Sequence, residues 1–327
     1  MDVPLIDCDP RRSPGRRVKS DLLPLAAVSR SLKAHILLVL VTFVWGATFV
    51  QIKDALRDIS PFMFNAVRMT LAAAALLLIY RKQVIQMSRG ALVNAAMVGG
   101  FLWLGYEFQT SGLALTTPSK SAFITGFSVM LVPVFLVLVF GKRVNLVTIA
   151  GVAVSFLGLY LMTVPAGEGT SLASINRGDL LTVVSAVFFA LQIITMGRAM
   201  QHHRFEAVST LQIAIAAGLM LIIAPLAEHV RVIWSARVIA AILVTGLLGT
   251  AAAFSIQAWA QQFIPPTHTA LIFLLEPVFA WITSFVFGER LGWRAGLGAV
   301  LILAGIVTAE LISPSAEMKA ELGSDVG

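Results

Sequence analysis

Charged residues are scarce in this sequence. They make up 13% of its 327 residues, whereas soluble domains contain about 25%. Cysteine is almost missing as well, because Cys8 is the only one, so the chain forms no internal disulfide. The sequence also has no P-loop, no HExxH or GxSxG motif and no Cys/His cluster. These absences argue against a soluble domain, a P-loop nucleotide hydrolase and a zinc or serine hydrolase, and we expect neither a cofactor nor a bound metal.

Apolar residues, by contrast, are abundant, at 58% of the chain with a mean hydropathy of +0.88. A helix needs about 20 apolar residues to cross a bilayer core, and the runs here are too long and too apolar for the strands of an outer-membrane barrel. The pattern predicts an all-α integral membrane protein with ten transmembrane helices in a lipid bilayer. The ten predicted spans are 34–53, 61–80, 91–111, 119–140, 144–164, 178–197, 206–227, 238–260, 267–288 and 293–312.

Basic residues give the chain a net charge of +7, and they crowd into residues 1–33 and the short gaps between apolar runs. This distribution indicates membrane topology rather than a nucleic-acid surface, because Lys and Arg accumulate in cytoplasmic loops. With an even number of spans, both termini are predicted to be cytoplasmic. Residues 1–33 are predicted to form a disordered tail, and residues 313–327 a second cytoplasmic tail.

The chain contains an internal repeat. VFGKRV (139–144) and VFGERL (286–291) lie 147 residues apart, and further residues match at nearly the same spacing. The matching pairs are Gly151 with Gly298, Gly158 with Gly305, Gln109 with Gln257 and Ala122 with Ala270. Two copies of a five-helix unit insert with opposite orientations, and such inverted repeats place a pathway between the copies near the bilayer midplane. We therefore expect repeats over 34–164 and 165–312 around a central cavity, and a transport function.

Several motifs also resemble one transporter family. The motifs are WGATFV (45–50), NAVRMTLAAAALLL (65–78), PSKSAFITG (118–126) and EPVFAWITSFVFGERL (276–291). They are similar to segments of the EamA family of the drug/metabolite transporter superfamily, over about residues 34–312. The resemblance implies a ten-helix, basket-like fold in the bacterial inner membrane that exports small metabolites, amino acids or drugs. The two halves are not chemically equivalent, since GKRV replaces GERL and Val129 aligns with Glu276.

Glu276 is the leading candidate for a functional residue, because it stands beside Pro277 within an apolar span. A charged side chain at the bilayer centre costs roughly 2.5–3.5 kcal/mol on insertion scales, so we exclude exposure to lipid. One interpretation is a cavity carboxylate that binds a cationic group or a proton. The other is a protonated glutamate that bonds a neighbouring helix and holds the fold together.

A buried ion pair is predicted from depth in the membrane. Arg68 in the second span and Glu107 in the third fall at similar heights at about 1.5 Å per residue, and pairing would lower the burial cost of both. Arg68 could instead extend to the outer interface. Glu107 is also a cavity candidate, because Trp103 lies one turn away on the same helix face and could meet an aromatic or cationic solute.

The remaining candidates are uncharged. Gln109, Gln192 and Gln257 either line a polar path or tie helices together, and Trp45 either packs or contacts the solute. Four glycines are predicted to allow close helix packing, namely Gly151, Gly158, Gly298 and Gly305.

Together these observations favour a secondary carrier that exports a small organic solute across the plasma membrane by alternating access. Without a nucleotide site, uphill transport would draw on an ion or solute gradient, with protons as a candidate coupling ion. Three alternatives stay open: an intramembrane enzyme acting on a lipid-linked substrate, a channel, and an importer of the same fold. The sequence leaves a homodimer open and predicts no nucleic-acid partner.

Overall fold

The structure is a computed structural model that describes residues 22–142, 144–163, 176–286 and 293–312. Regular structure in these ranges is helical, apart from one isolated antiparallel bridge between Ile59 and Val232. The helices are α1 (Leu22–Ala55), α2 (Pro61–Ile85), α3 (Arg89–Leu115), α4 (Pro118–Thr125), α5 (Phe127–Leu138), α6 (Leu146–Thr163), α7 (Arg177–His202), α8 (Phe205–Ala227), α9 (Ala236–Leu243), a π-helical segment (Val244–Ala252), α10 (Ala253–Ala260), α11 (Pro266–Phe273), α12 (Leu275–Val286) and α13 (Trp293–Ile312). The GERL motif and the predicted C-terminal tail lie outside the described residues.

Within the described ranges, seven helical stretches are long and apolar enough to cross a membrane by length and composition. They are Arg30–Ala55, Pro61–Ile85, Arg89–Leu115, Lys120–Leu138, Arg177–His202, Phe205–Ala227 and Ala236–Ala260. Two shorter apolar helices, Leu146–Leu161 and Gly296–Ala309, lie within α6 and α13. Large apolar side chains such as Leu78 and Leu226, both 79% exposed, cover the outward faces and suit contact with lipid. The chain is therefore a multi-pass membrane protein whose regular structure is helical wherever the structure describes it, as the composition predicts.

α1 begins at Leu22, so the structure is helical over part of the segment for which the sequence predicts a disordered tail up to residue 33. The stretch LLPLAAVSRSLK explains the difference, because Leu, Ala, Arg and Lys are good helix formers. Extending an existing helix also needs no new nucleation, so the transmembrane helix continues backwards into its flanking segment.

Two helical stretches are interrupted near their middles. α4 and α5 meet at Gly126, and α11 and α12 meet at Leu274, the position 148 residues later. The backbone tightens at each break: the N–H of Val129 donates to the Gly126 carbonyl at 3.1 Å. Likewise, the N–H of Leu274 donates to the Leu271 carbonyl at 3.0 Å. The sequence predicts a continuous ninth span with Pro277 as a central kink. Instead Pro277 lies in the first turn of α12, where a missing N–H costs little.

The π-helical segment lies between α9 and α10 and has no counterpart in the sequence-based prediction. Its wider turn brings the Thr250 hydroxyl to the Thr245 carbonyl, five residues earlier, at 2.7 Å. The carbonyl oxygen of Gly249, inside the segment, accepts a hydrogen bond from Trp45 Nε1 at 2.8 Å. This bond ties α1 to the segment, and π-helical turns of this kind are frequent at functional sites.

α6 and α13 pack closely through the four glycines that the sequence singles out. A Cβ atom added to Gly158 would lie 2.5 Å from the carbonyl oxygen of Gly298. One added to Gly151 would lie 2.7 Å from the carbonyl oxygen of Gly305. Both distances are shorter than ordinary van der Waals contacts, so a glycine at each position lets the two backbones approach this closely.

Candidate functional site

A cavity lies among α1, α2, α3, α7, the π-helical segment and the two interrupted stretches. The space open to the centres of water molecules is about 80 Å³, within an empty volume of about 880 Å³ that includes its mouth. One water needs about 10–15 Å³ by the first measure, so the cavity holds several waters or a small solute. Its polar lining residues are Thr48, Arg68, Tyr106, Gln109, Thr110, Thr125, Ser128, Gln192, Thr245 and Glu276.

Glu276 lies in the first turn of α12 and lines this cavity. Its carboxylate has no hydrogen bond or ion pair with any residue in the described part of the chain. The N-terminal end of a helix carries a partial positive charge, which favours a carboxylate at this position. A Cβ atom added to Gly46 would lie 2.5 Å from the main-chain oxygen of Glu276, so the glycine of WGATFV lets α1 pack directly against this turn.

Arg68 also lines the cavity, from α2, and the predicted ion pair with Glu107 is not formed. Cζ of Arg68 lies 4.0 Å from the ring centre of Tyr106 and 5.5 Å from that of Phe64. Its Nε and Nη2 atoms are buried without a hydrogen-bond partner among the described residues. Arg68 does not reach the outer interface either, since it is only 3% exposed.

Glu107 belongs instead to a buried network between α2 and α3. Its Oε2 accepts from Asn65 Nδ2 at 3.0 Å, and the same amide donates to the Tyr106 carbonyl at 3.1 Å. Thr110 Oγ1 donates to Asn65 Oδ1 at 3.0 Å and completes the network. One residue along a helix turns the side chain by about 100°, so Tyr106 lines the cavity while its neighbour Glu107 does not.

Of three further candidates, Gln109 and Trp45 line the cavity and Trp103 does not. Gln109 lines the cavity, and its Nε2 donates to Thr125 Oγ1 at 3.2 Å. Trp45 lines it as well, and its ring packs against those of Phe254 and Phe273 at centroid distances of 5.6 and 4.8 Å. Trp103 is not among the lining residues, and its buried Nε1 has no hydrogen-bond partner in the described ranges.

Four buried glutamines, which we call the glutamine cluster, tie α7, α8 and α10 together. Gln192 Nε2 donates to Gln212 Oε1 at 3.2 Å, and Gln257 Nε2 donates to Gln192 Oε1 at 3.1 Å. Gln257 Nε2 also approaches Gln261 Oε1 at 3.3 Å, and Gln261 Nε2 donates to the Ile193 carbonyl at 2.9 Å. Gln192 both lines the cavity and belongs to the cluster, whereas Gln257 only ties helices together.

From this cluster the cavity extends toward the opposite end of the helices. Its lining residues Ile52 and Leu113 lie close to the last residues of α1 and α3. At this end Lys53 Nζ donates to three main-chain carbonyls at the end of α3, at 2.7–3.0 Å. Asp179 in the first turn of α7 forms an ion pair of 2.6 Å with Lys120 of α4. These contacts hold α1, α3, α4 and α7 together at this end.

Sequence reasoning missed Tyr106, Thr125 and Thr245 as lining residues. Hydroxyl side chains in apolar helices commonly bond to their own backbone, so no pattern distinguishes a lining threonine from an ordinary one. Tyr106 could have been found only from the direction in which α3 faces. The described ranges contain no group of three or more His, Cys, Asp or Glu that could hold a metal ion.

Comparison with known proteins decides the family. Residues 32–164 and 176–310 each match the EamA-like transporter family. The chain belongs to the EamA-like transporter family. This result confirms the resemblance of the WGATFV and EPVFAWITSFVFGERL motifs.

Relatives of this EamA protein include an uncharacterized transporter of Archaeoglobus fulgidus, 30% identical over 285 residues, which are 86% of this chain and 87% of the relative. The probable amino-acid metabolite efflux pump of Escherichia coli K12 is 27% identical over 291 residues, 84% of this chain and 94% of the pump. A solved crystal structure shares the fold with a TM-score of 0.70 at 17% identity, covering 87% of this chain and 99% of its own. The protein is therefore a membrane transporter of this family.

Proposed function

We propose that this EamA protein is a secondary transporter that exports a small organic solute across the plasma membrane by alternating access. The observation that carries the proposal is Glu276, a carboxylate without a partner among the described residues that lines an interior cavity. An ionisable group within a membrane protein marks a solute or ion path when it faces a water-filled cavity. The proposal includes ten spans, as inverted repeats over 34–164 and 165–312.

Reciprocal glycine contacts support the inverted repeat. Gly151 corresponds to Gly298, and Gly158 corresponds to Gly305. Gly151 packs against Gly305, and the corresponding pair, Gly298 and Gly158, makes the reciprocal contact. A two-fold axis between the copies requires this exchange of partners. The two interruptions, between α4 and α5 and between α11 and α12, also fall at corresponding positions.

Alternating access is supported by the difference between the two ends of the cavity. In the first half of α1, Lys33 Nζ lies 5.6 Å from the ring centre of Trp259, close to the end of α10. The hydrogen-bonded glutamine cluster lies toward this end, whereas the lining residues Ile52 and Leu113 lie toward the other. With both termini cytoplasmic, the cluster would form the cytoplasmic seal, and inward opening would separate Gln257 of α10 from Gln192 of α7.

We further propose that the direction of transport is export and that a gradient drives it. The E. coli relative is named a probable efflux pump, which supports export over import. The sequence has no P-loop, so we assign the driving force to an ion or solute gradient. A proton bound at Glu276 would couple solute export to a proton gradient. In alternating access, a group inside the cavity is exposed to each side of the membrane in turn.

The test reconstitutes the purified protein in lipid vesicles and measures counterflow of labelled amino acids, organic cations and sugars. We expect saturable counterflow for at least one class. Glu276→Gln should fold normally and lower the rate about ten-fold or more, a barrier increase of roughly 1.4 kcal/mol, or change its pH dependence. Glu107→Gln is the matched control, since it alters a buried carboxylate outside the cavity, and should keep the wild-type rate.

Three results would count against the proposal. If no class shows counterflow, or if a lipid-linked probe is chemically converted, the protein is not a carrier. If Glu276→Gln keeps the wild-type rate and pH profile, the carboxylate is not on the transport path.

A further inference from the structure

The hydrogen bond between Trp45 and Gly249 joins the cavity to the π-helical segment. Trp45 Nε1 donates to the Gly249 carbonyl oxygen at 2.8 Å, and both residues line the cavity. Inside the segment, the Thr250 hydroxyl donates to the Thr245 carbonyl at 2.7 Å. π-helical turns are rare because α-helical geometry is more favourable, so contacts such as these two keep the segment in place. A solute bound in the cavity therefore meets a side chain that holds the segment.

The π-helical segment also determines which way α10 faces. The N–H of Ala253, at the end of the segment, donates to the Leu248 carbonyl five residues earlier, so the segment accommodates one residue more than an α-helix would. Each residue of α10 is thereby turned by about 100° from its direction in a continuous α-helix. In this register Phe254 lines the cavity, and Gln257 Nε2 donates to Gln192 Oε1 at 3.1 Å in the glutamine cluster. The bond to Gln192 therefore depends on the π-helical turn.

We propose that Trp45 is a positioning residue for transport: its bond to Gly249 holds α10 in this register, and release of the bond lets α10 shift by one residue and open the glutamine cluster. This inference rests on the proposed transport function and adds the step that links the cavity to the cytoplasmic seal. The turn at residues 261–265, which follows α10, takes up the extra residue. Helix register shifts occur in microseconds to milliseconds, on the same timescale as domain motions.

Geometry fixes the direction of the shift. When the extra residue leaves the segment, each residue of α10 moves to the place of the residue that follows it, a rotation of about 100° and a rise of about 1.5 Å. Ala253 then takes the place of Phe254 on the cavity wall. Gln257 takes the place of Ala258, which breaks its bond to Gln192. Ala258 packs in a buried apolar cluster with residues of α7 and α8, so the larger glutamine fits there only if α10 moves away from those helices.

Two cysteine reporters distinguish a register shift from a general loosening of α10. Ala253 is 1% exposed and does not line the cavity, so the thiol of Ala253→Cys reaches the cavity only when α10 shifts. Ala260 is buried, and the shift would bring it to the place of Gln261, which is buried as well. Each reporter is built in a Cys8→Ser background and labelled in detergent with a small water-soluble methanethiosulfonate. We expect Ala253→Cys to react slowly and Ala260→Cys to stay protected.

Trp45→Phe removes the hydrogen bond and keeps an aromatic ring. It should raise the labelling rate of Ala253→Cys about three- to ten-fold, the change in an equilibrium expected from the loss of one hydrogen bond, and leave Ala260→Cys protected. Trp103→Phe is the matched control, because Trp103 does not line the cavity and its Nε1 has no hydrogen-bond partner among the described residues. It should change neither labelling rate.

Thr250→Val tests the same step without altering the cavity. Thr250 is buried and does not line the cavity, and valine keeps its shape while removing the hydroxyl that bonds to Thr245. This variant should also raise the labelling rate of Ala253→Cys about three- to ten-fold. It takes the place of Trp45→Phe if that variant does not fold.

The glutamine cluster provides a test from the other end of α10. Coupling between two sites is reciprocal, so if the shift opens the cluster, a broken cluster must favour the shift. Gln257→Leu removes the bonds from Gln257 Nε2 to Gln192 and Gln261. It should raise the labelling rate of Ala253→Cys by at least as much as Trp45→Phe does, because it removes two hydrogen bonds rather than one.

The possible failures are distinguishable. Unchanged labelling of Ala253→Cys in folded Trp45→Phe and Thr250→Val, or an equal rise for Ala260→Cys, would overturn the register shift. Unchanged labelling in folded Gln257→Leu would overturn its link to the glutamine cluster. These measurements need no solute, so they are independent of counterflow. Absence of counterflow in the wild type would overturn the transport function even if the reporters behave as expected, whereas counterflow with unchanged labelling would overturn the shift alone.

Discussion

At the scale of single residues, Asn65 determines where the Glu107 carboxylate is held. Its amide donates to Glu107 Oε2 at 3.0 Å and accepts from Thr110 Oγ1 at 3.0 Å. We expect Asn65→Ala and Glu107→Ala to be coupled by about 1 kcal/mol in free energy of unfolding, because either change alone already breaks their hydrogen bond. The measurement is a double-mutant cycle in detergent.

Arg68→Ala with Glu107→Ala forms the comparison cycle. These two residues do not form an ion pair, so their effects should be closer to additive than those of Asn65 and Glu107. A larger coupling between Arg68 and Glu107 than between Asn65 and Glu107 would contradict the arrangement of side chains described above.

Residue by residue, sequence reasoning could identify polar candidates but not the direction in which each one faces. Glu276 and Gln192 line the cavity as the functional interpretation requires, whereas Glu107 and Gln257 lie in buried networks outside it. An apolar helix gives no amphipathic pattern from which a facing direction can be read. For the same reason, similar depth predicts an ion pair between Arg68 and Glu107 that the structure does not form.

At the scale of elements, the contact between α6 and α13 depends on glycine. Gly158→Ala would place a methyl group 2.5 Å from the Gly298 carbonyl, so we expect a loss of about 1–3 kcal/mol in stability from overpacking. The measurement is thermal unfolding in detergent, with folded yield as a second reading.

Gly218→Ala is the matched control for this prediction. Gly218 also lies inside a helix, α8, but a Cβ atom there would have no neighbour within 4 Å. Alanine favours helix over glycine by about 1 kcal/mol, so this variant should be neutral or more stable. Equal effects at the two positions would mean that the α6–α13 contact is not glycine-dependent.

The apolar runs predicted the helical stretches well but not their interruptions. α2, for example, begins at the predicted Pro61, departs from helical geometry at Tyr80, where the predicted span ends, and then continues to Ile85. The break at Leu274 has no glycine or proline at that position, and the π-helical segment has no signature of its own. Such features depend on contacts from other helices, such as the Trp45 bond to Gly249, which no local pattern contains.

At the scale of the whole molecule, the arrangement of loops makes topology testable. The Ser60 N–H donates to the Arg231 carbonyl at 2.9 Å, so the segment around Val230 lies at the start of α2, whereas Gln86 follows its other end. In a Cys8→Ser background, Val230→Cys should react with an impermeant maleimide added to intact cells. Gln86→Cys should react only after permeabilisation, because cytoplasmic termini place this loop inside.

Labelling of both cysteines from outside would contradict the proposed topology, and so would the reverse pattern. Labelling of denatured protein controls for the reactivity of each cysteine. The basic N-terminal segment supports this orientation from the sequence, but the second half of the chain has no charge bias of its own. Its orientation follows only from the number of spans, which is why an experiment on Val230 is informative.

The π-helical segment between Val244 and Ala252 also affects how the chain tolerates changes in length. A π turn arises when one extra residue is accommodated within an α-helix, so losing one residue there would restore ordinary α-helical geometry and leave α9 and α10 in register. The same single-codon deletion inside α10 would rotate every later side chain of that helix by about 100°. Among homologous genes, one-residue deletions in this helix should therefore fall within the π-helical segment. The proteins that carry such a deletion should lose the hydrogen bond from Trp45 Nε1 to the carbonyl oxygen of Gly249.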